Sequence, residues 1–164
     1  MADAGIGTGH LTAKLPRDGV ELWGVDFFAA LLVRCRARLP WAKLVQADLA
    51  QPLLEELGSG FDRIVSAYVL HEFDLPARQP CSRRWRDGSR WAASSSVIGE
   101  ASFATAAERE AARARWADAW DGDDHYSAAD EAARALASLG WVVEDEQVSV
   151  CAGVYTIRLG CPGG

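Results

Sequence analysis

The stretch that decides the fold is Asp3-Ala4-Gly5-Ile6-Gly7-Thr8-Gly9, which stands almost at the start of the 164-residue chain. Glycines at alternate positions let the backbone turn tightly and expose N–H groups to a ligand at a helix start. The spacing departs from the Gly-x-Gly-x-x-Gly fingerprint of dinucleotide-binding folds, because its third position falls on His10. A ligand with a free amino group would balance the carboxylate of Asp3. The stretch therefore predicts a strand, a glycine turn and, over residues 10–15, one or two turns of helix.

Outward from this turn, apolar runs of strand length alternate with segments of helical spacing. Two of the runs stop at a carboxylate, Asp26 and Asp48, as expected for buried parallel strands. The alternation predicts right-handed crossovers and an open, mainly parallel α/β sheet flanked by helices, in one domain spanning residues 1–164. The predicted strands are residues 20–26, 42–47 and 61–69, and the predicted helices are residues 28–39 and 52–57.

The C-terminal half continues the pattern and then changes it. A Thr105-x-x-Glu108 capping box predicts a helix over residues 105–120, and a second helix is predicted from Ser127, as its side-chain cap, to Gly140. Two apolar runs follow, residues 141–150 and 151–159, without room for a crossover helix between them. They predict an antiparallel hairpin at the edge of the sheet.

Residues 81–96 are anomalous, with two tryptophans amid four arginines and no period of 2 or 3.6 residues. One interpretation is a solvated basic loop, although structureless loops of that length are uncommon in a compact domain. The preferred hypothesis is a reading-frame error in the gene, since a shifted frame can encode the helix, glycine turn and buried strand that the pattern lacks. Sequencing the gene decides between them.

Composition narrows the class of partner. A net charge of −6 and a pI near 5.0 disfavour nucleic acid and anionic membranes and favour a small-molecule partner. We expect a cytoplasmic protein, because the chain has neither a long apolar stretch nor a signal-like start. The four cysteines are scattered, which predicts reduced, mostly buried thiols and no metal site.

Together these features resemble the class I S-adenosylmethionine-dependent methyltransferases, and more closely their small bacterial members. The stretch 3–9 is similar to their first motif, whose glycine loop lies under the methionyl part of the cofactor. Asp26 and Asp48 match the acidic residues after the second and third strands. Ala67-Tyr68-Val69-Leu70-His71 matches the segment that lines the methyl-transfer face, and residues 147–155 are similar to the terminal hairpin.

The resemblance implies a Rossmann-like fold, S-adenosylmethionine as cofactor and methyl transfer to an unidentified small-molecule acceptor. It implies that Asp26 holds the ribose hydroxyls and that Asp48 reads the adenine amino group. A purely structural alternative is that each aspartate caps the helix after its strand. The implied cofactor-binding residues are Asp3, Gly5, Gly7, Gly9, Asp26, Phe27, Asp48, Leu49 and Ala67.

A catalytic base is needed only if the acceptor must lose a proton. His71, with Glu72 beside it, is the candidate for general base. The alternative is a histidine that packs at the rim or binds backbone. Tyr68 either lines the methyl path or packs in the core, and His125-Tyr126 either touches substrate or starts a helix.

Two further functional hypotheses stay open on the sequence alone. The chain starts two residues before the first motif, so we expect a truncated first strand and no helices over the substrate side. This suggests a truncated or decayed methyltransferase domain without activity, or one that pairs with another chain, and leaves homo-oligomerisation open. A nicotinamide-dependent oxidoreductase is the other hypothesis, and His10 in place of the third fingerprint glycine argues against it.

Overall fold

The computed structural model describes residues 1–51, 60–72, 95–138 and 140–159. Within these ranges short 3₁₀ turns lie at Thr12–Lys14, Leu70–Glu72 and Ala117–Ala119. The helices are α1 (Ala29–Arg38), α2 (Ala106–Trp116) and α3 (Ala129–Ser138). The strands are β1 (Ala2–Ala4), β2 (Trp23–Asp26), β3 (Lys43–Gln46), β4 (Arg63–Ala67), β5 (Ser95–Glu100), β6 (Ser102–Phe103), β7 (Ser127–Ala128), β8 (Trp141–Ser149) and β9 (Ala152–Leu159).

Seven of these strands form one sheet in the order β3-β2-β1-β4-β5-β9-β8. The first five are parallel, and β9 runs antiparallel to both β5 and β8. The predicted open, mainly parallel sheet and the antiparallel hairpin at its edge are both confirmed. Strand order reverses on the two sides of β1, and in such sheets ligands bind beyond the carboxyl ends of the strands at that point.

β1 is short but fully integrated. Ala2, Asp3 and Ala4 each pair with a residue of β2 on one side and of β4 on the other. All three are buried. The first strand therefore places Asp3 at the centre of the sheet with three residues alone.

Helices cover both faces of the sheet. Leu44 and Val45, successive residues of β3, point to opposite faces and join different apolar clusters. The Leu44 cluster contains Leu32 and Cys35 of α1, whereas the Val45 cluster contains Ala129 of α3. The site at the strand ends thus belongs to a sheet that is covered on both faces by apolar packing.

The strands predicted over residues 20–26 and 61–69 are shorter, Trp23–Asp26 and Arg63–Ala67. Three predicted helices also need corrected boundaries. The helix predicted over residues 10–15 is only the 3₁₀ turn Thr12–Lys14. The helix predicted to start at Ser127 begins at Ala129, because Ser127–Ala128 pair with β6 as a strand. The capping box is confirmed, since Thr105 Oγ1 accepts the Glu108 N–H at 3.2 Å, but α2 ends at Trp116.

Some of the predictions lie wholly or mainly outside the described residues. These are the helix over residues 52–57, most of the anomalous segment, and Cys81 and Cys161. Ser95 and Ser96, the last two residues of the anomalous segment, are described and are buried in β5. Cys35 and Cys151 are free thiols, Cys35 buried as expected and Cys151 exposed. None of the described helices combines the length and apolarity needed to cross a membrane.

Candidate functional site

A cavity of about 690 Å³ opens at the carboxyl ends of β1 to β4. That volume falls in the range of about 300–1,000 Å³ typical of small-molecule sites. Its walls come from the segments that follow the four strands. The lining residues are Asp3, Gly5, Ile6, Gly7, Thr8, His10, Leu11, Asp26, Phe27, Phe28, Leu31, Ala47, Asp48, Leu49, Ala50, Ala67, Tyr68, Val69 and Glu72.

The glycine loop forms the floor of this cavity. Gly5 has a φ of 77°, and a Cβ there would lie 2.1 Å from Val69 Cγ2, so only glycine allows this approach to the segment after β4. Gly7, with a φ of 55°, has open space where its Cβ would be. Gly9 does not line the cavity, and its close contacts are with Cys35 and Leu39 of α1. The loop thus needs Gly5 to approach the segment after β4 and Gly9 to pack on α1.

Asp3 is the most buried acid of the site, with 2% of its surface exposed. Burial raises the pKa of its carboxyl from 3.8 to about 6; the Thr12 hydroxyl, which donates to Oδ2, opposes this rise and the nearby Asp26 adds to it. An ammonium group in the cavity would favour the ionised form of this carboxyl.

Asp26 and Asp48 bind backbone and also face the cavity. Asp26 accepts the Gly7 N–H at 2.8 Å through Oδ2 and the Phe28 N–H at 2.9 Å through Oδ1. Asp48 Oδ1 accepts the Ala50 N–H at 2.8 Å. Asp26 does not cap α1, because the N-cap of that helix is Phe28 and no described side chain caps it. The helix predicted after Asp48 lies outside the described residues. Their backbone hydrogen bonds do not compete with ligand binding, because a carboxylate oxygen can accept a second hydrogen bond.

Large apolar side chains line the same cavity although they are exposed. Phe27, Phe28 and Tyr68 are each about 60% exposed, and Leu11 is 43% exposed. Phe27 and Phe28 meet edge to face, with ring centroids 5.2 Å apart. Exposed apolar groups that converge on a concave surface are typical of a ligand site. A ligand that carries both a cation and a flat apolar part would match these walls.

His71 lies beside the cavity, but it is not one of the lining residues. Its Nδ1 is 2.5 Å from Oε1 of the buried Glu100, and its carbonyl accepts the His125 N–H at 2.8 Å. His125 thus contacts the turn after β4 and does not start a helix. Sequence reasoning missed Glu100, although β5 ends at this carboxylate just as β2 ends at Asp26.

Comparison with known proteins agrees with this geometry. A family described as a methyltransferase domain matches residues 1–88, which is more than half of the chain. No curated protein matches the sequence.

Solved structures show the same fold at low identity. The complex of DhpI with SAH has a TM-score of 0.72 at 16% identity, covering 99% of this chain and 76% of that one. A TehB-like SAM-dependent methyltransferase from Corynebacterium glutamicum has a TM-score of 0.68 at 18% identity, covering 96% and 78%. The small RNA methyltransferase HEN1 has a TM-score of 0.73 at 14% identity, covering 96% of this chain and 22% of that one. The chain therefore belongs to the methyltransferase-domain family, as a class I S-adenosylmethionine-dependent methyltransferase.

Proposed function

We propose that the chain binds S-adenosylmethionine in the 690 Å³ cavity and transfers its methyl group to a small-molecule acceptor. The observation that carries this proposal is the convergence of three carboxylates, Asp3, Asp26 and Asp48, on one cavity with exposed aromatic walls. Carboxylates at three strand ends suit a cationic, hydroxyl-rich ligand. They would repel the pyrophosphate of a nicotinamide dinucleotide, so the oxidoreductase hypothesis is disfavoured.

Each carboxylate has a proposed part in cofactor binding. Asp3 balances the amino group of the methionyl part, which lies over the Gly5 and Gly7 backbone. Asp26 accepts hydrogen bonds from the ribose hydroxyls while it keeps its two backbone donors. The adenine ring is proposed to stack among the apolar walls near Asp48, whose carboxylate accepts from the adenine amino group. Phe27, Leu49 and Ala67 complete these walls, and Gly9 acts through its packing on α1.

When bound, the cofactor supplies an electrophilic methyl group on sulfur. The residues of this chain need mainly to hold the two reactants in line and exclude water. Tyr68 is proposed to take part in this task, because it lines the cavity. Its backbone φ is 55°. This conformation is stabilised by its peptide N–H, which donates to the Gly99 carbonyl at 2.9 Å. A strained backbone of this kind is common at functional sites. His71 acts on the acceptor side, with its ring oriented by Glu100.

A small molecule is the proposed acceptor rather than nucleic acid. The net charge of −6 disfavours an approaching phosphate backbone, and the cavity rim carries Asp48 and Glu72. We also propose a cytoplasmic location, which the free thiols of Cys35 and Cys151 support.

Titration calorimetry with S-adenosylhomocysteine tests the proposed site. Asp26→Asn keeps the shape of the side chain but removes its charge. The loss of charge-assisted hydrogen bonds worth about 1.5–3 kcal/mol predicts affinity about 10- to 100-fold weaker. Asp118→Asn, in the distant turn after α2, is the matched control and should bind like the wild type. NAD serves as the control ligand.

The outcomes separate the hypotheses. Equal affinity in Asp26→Asn would remove Asp26 from the site, and binding of NAD without S-adenosylhomocysteine would revive the oxidoreductase. A chain that melts cooperatively yet binds neither ligand would support the decayed domain.

A further inference from the structure

Three side chains with metal-binding groups meet beside the cofactor cavity. One ligand atom each of His71, Glu72 and Asp124 lies within 4.8 Å of the other two. They come from two elements, the 3₁₀ turn after β4 and the loop between α2 and β7. The His125 N–H donates to the His71 carbonyl at 2.8 Å, which fastens this loop to the turn. The cluster is thus built by the tertiary fold.

Glu100 orients the histidine for an external ligand. It is 3% exposed and accepts hydrogen bonds from the Leu70 N–H at 2.7 Å and the Ala101 N–H at 2.8 Å. Oε1 of the same carboxylate lies 2.5 Å from His71 Nδ1, and because an ionised carboxylate can only accept, Nδ1 is assigned as the donor. Because Nδ1 then carries the proton, the lone pair is on Nε2. A buried carboxylate behind a histidine is the arrangement found behind metal-binding imidazoles.

The ligand atoms of the three side chains lie close enough together for one cation to contact all three. His71 Nε2 lies 3.8 Å from Glu72 Oε1, which is too long for a hydrogen bond. Asp124 is held through Oδ2, which accepts the Tyr126 hydroxyl at 2.9 Å and leaves Oδ1 to coordinate. Metal–ligand distances of about 2.0–2.2 Å place neighbouring donor atoms roughly 3–4 Å apart, which matches this separation.

We propose that His71, Glu72 and Asp124 form a binding site for a divalent first-row metal ion. One imidazole nitrogen and two carboxylate oxygens suit Mn²⁺, Fe²⁺ or Zn²⁺, and three protein ligands leave positions open. Of the three ligands only Glu72 lines the cofactor cavity, so the ion would lie at the cavity edge. If the cavity binds the cofactor as proposed above, the ion is placed to hold an acceptor through an oxygen donor.

Metal binding is measured without any methyl transfer. Mn²⁺ is titrated into the full chain with free ion counted by EPR, and Zn²⁺ by calorimetry. We expect one saturable site per chain, weakened at least about tenfold in Glu72→Gln and in Asp124→Asn, because each loses one charged ligand. Asp123→Asn, next to Asp124 but outside the cluster, is the matched control and should bind within about twofold of the wild type. Circular dichroism melts verify that each variant is folded.

The position of the ion is measured separately. Mn²⁺ bound at the cavity edge should broaden the proton NMR lines of S-adenosylhomocysteine in the presence of the wild type and not of Glu72→Gln. Absence of saturable binding of either ion, or binding unchanged in both variants, overturns the metal site even if S-adenosylhomocysteine binds. Binding of Mn²⁺ without line broadening, while S-adenosylhomocysteine binds, overturns its placement beside the cavity. Metal binding by a chain that does not bind S-adenosylhomocysteine overturns the proposed function instead and leaves the metal site standing.

Discussion

Replacing Asp3 by asparagine should stabilise the protein at neutral pH and remove a pH dependence. The pKa of this carboxyl is 3.8 in an ordinary setting and about 6 in the fold. The folded state therefore binds more protons than the unfolded state between these values, so stability falls as pH rises through 6. The whole difference is worth about 3 kcal/mol, and the part between pH 5.0 and 7.5 is about 1.4 kcal/mol.

Asparagine keeps the shape of the side chain and an oxygen that can accept from Thr12, but it does not titrate. The unfolding free energy of Asp3→Asn minus that of the wild type should therefore increase by about 1.4 kcal/mol from pH 5.0 to 7.5. Urea unfolding followed by tryptophan fluorescence measures both proteins, and all other ionisable groups cancel in the difference. A difference that stays constant with pH would refute the raised pKa.

If Asp3 binds the amino group of the cofactor as proposed, the same carboxyl should release protons when the cofactor binds. The amino group of S-adenosylhomocysteine favours the ionised form of Asp3, so binding at pH 5.5 should release a proton. Calorimetric heats would then change with the ionisation enthalpy of the buffer in the wild type and not in Asp3→Asn. Buffer-independent heats in the wild type would mean that no amino group lies near Asp3.

Five further substitutions test the packing behind the site by urea unfolding. Gly5→Ala should lower the free energy of unfolding by about 2–4 kcal/mol, because the new Cβ clashes with Val69 and φ is positive. Gly7→Ala should lower it by only about 1 kcal/mol, because φ is also positive there but the new Cβ meets open space. Ser96→Ala should be neutral or stabilising, since its buried Oγ has no partner among the described residues, whereas Ser66→Ala should cost about 1 kcal/mol through its lost bond to the Ala4 carbonyl. Thr105→Ala should cost about 1 kcal/mol by removing the cap of α2. Equal costs within either pair would contradict the packing described here.

The periodicity and length of apolar runs predicted the helices and strands that depend only on neighbouring residues. The helix α1 and the strands that end at Asp26 and near Asp48 follow from apolar periodicity and length. The terminal hairpin follows from the lack of room for a crossover. Because parallel strands expose their carboxyl ends at one edge, the aspartates after them could be assigned to one site from the order of the strands alone.

Long-range contacts were not predictable in this way. The strands β6 and β7 have two residues each, which is too short for an apolar periodicity. They pair because the chain between them brings residues 127–128 back beside residues 102–103. The bond between His71 and Glu100 joins residues 29 positions apart in different segments. The cluster with Asp124 adds a third segment, so no local motif could identify it.

Because Asp3 is proposed to bind the cofactor, the three-residue strand β1 would couple cofactor binding to folding of the whole domain. Ser66 of β4 donates to the Ala4 carbonyl across 62 positions of sequence, so β1 is in place only after a long loop has closed. No fragment that lacks β4 can hold Asp3 between its two neighbours. A ligand that binds only the folded domain is therefore coupled to its folding. At 100 times its Kd, such a ligand adds about 2.7 kcal/mol to the free energy of unfolding of the entire domain.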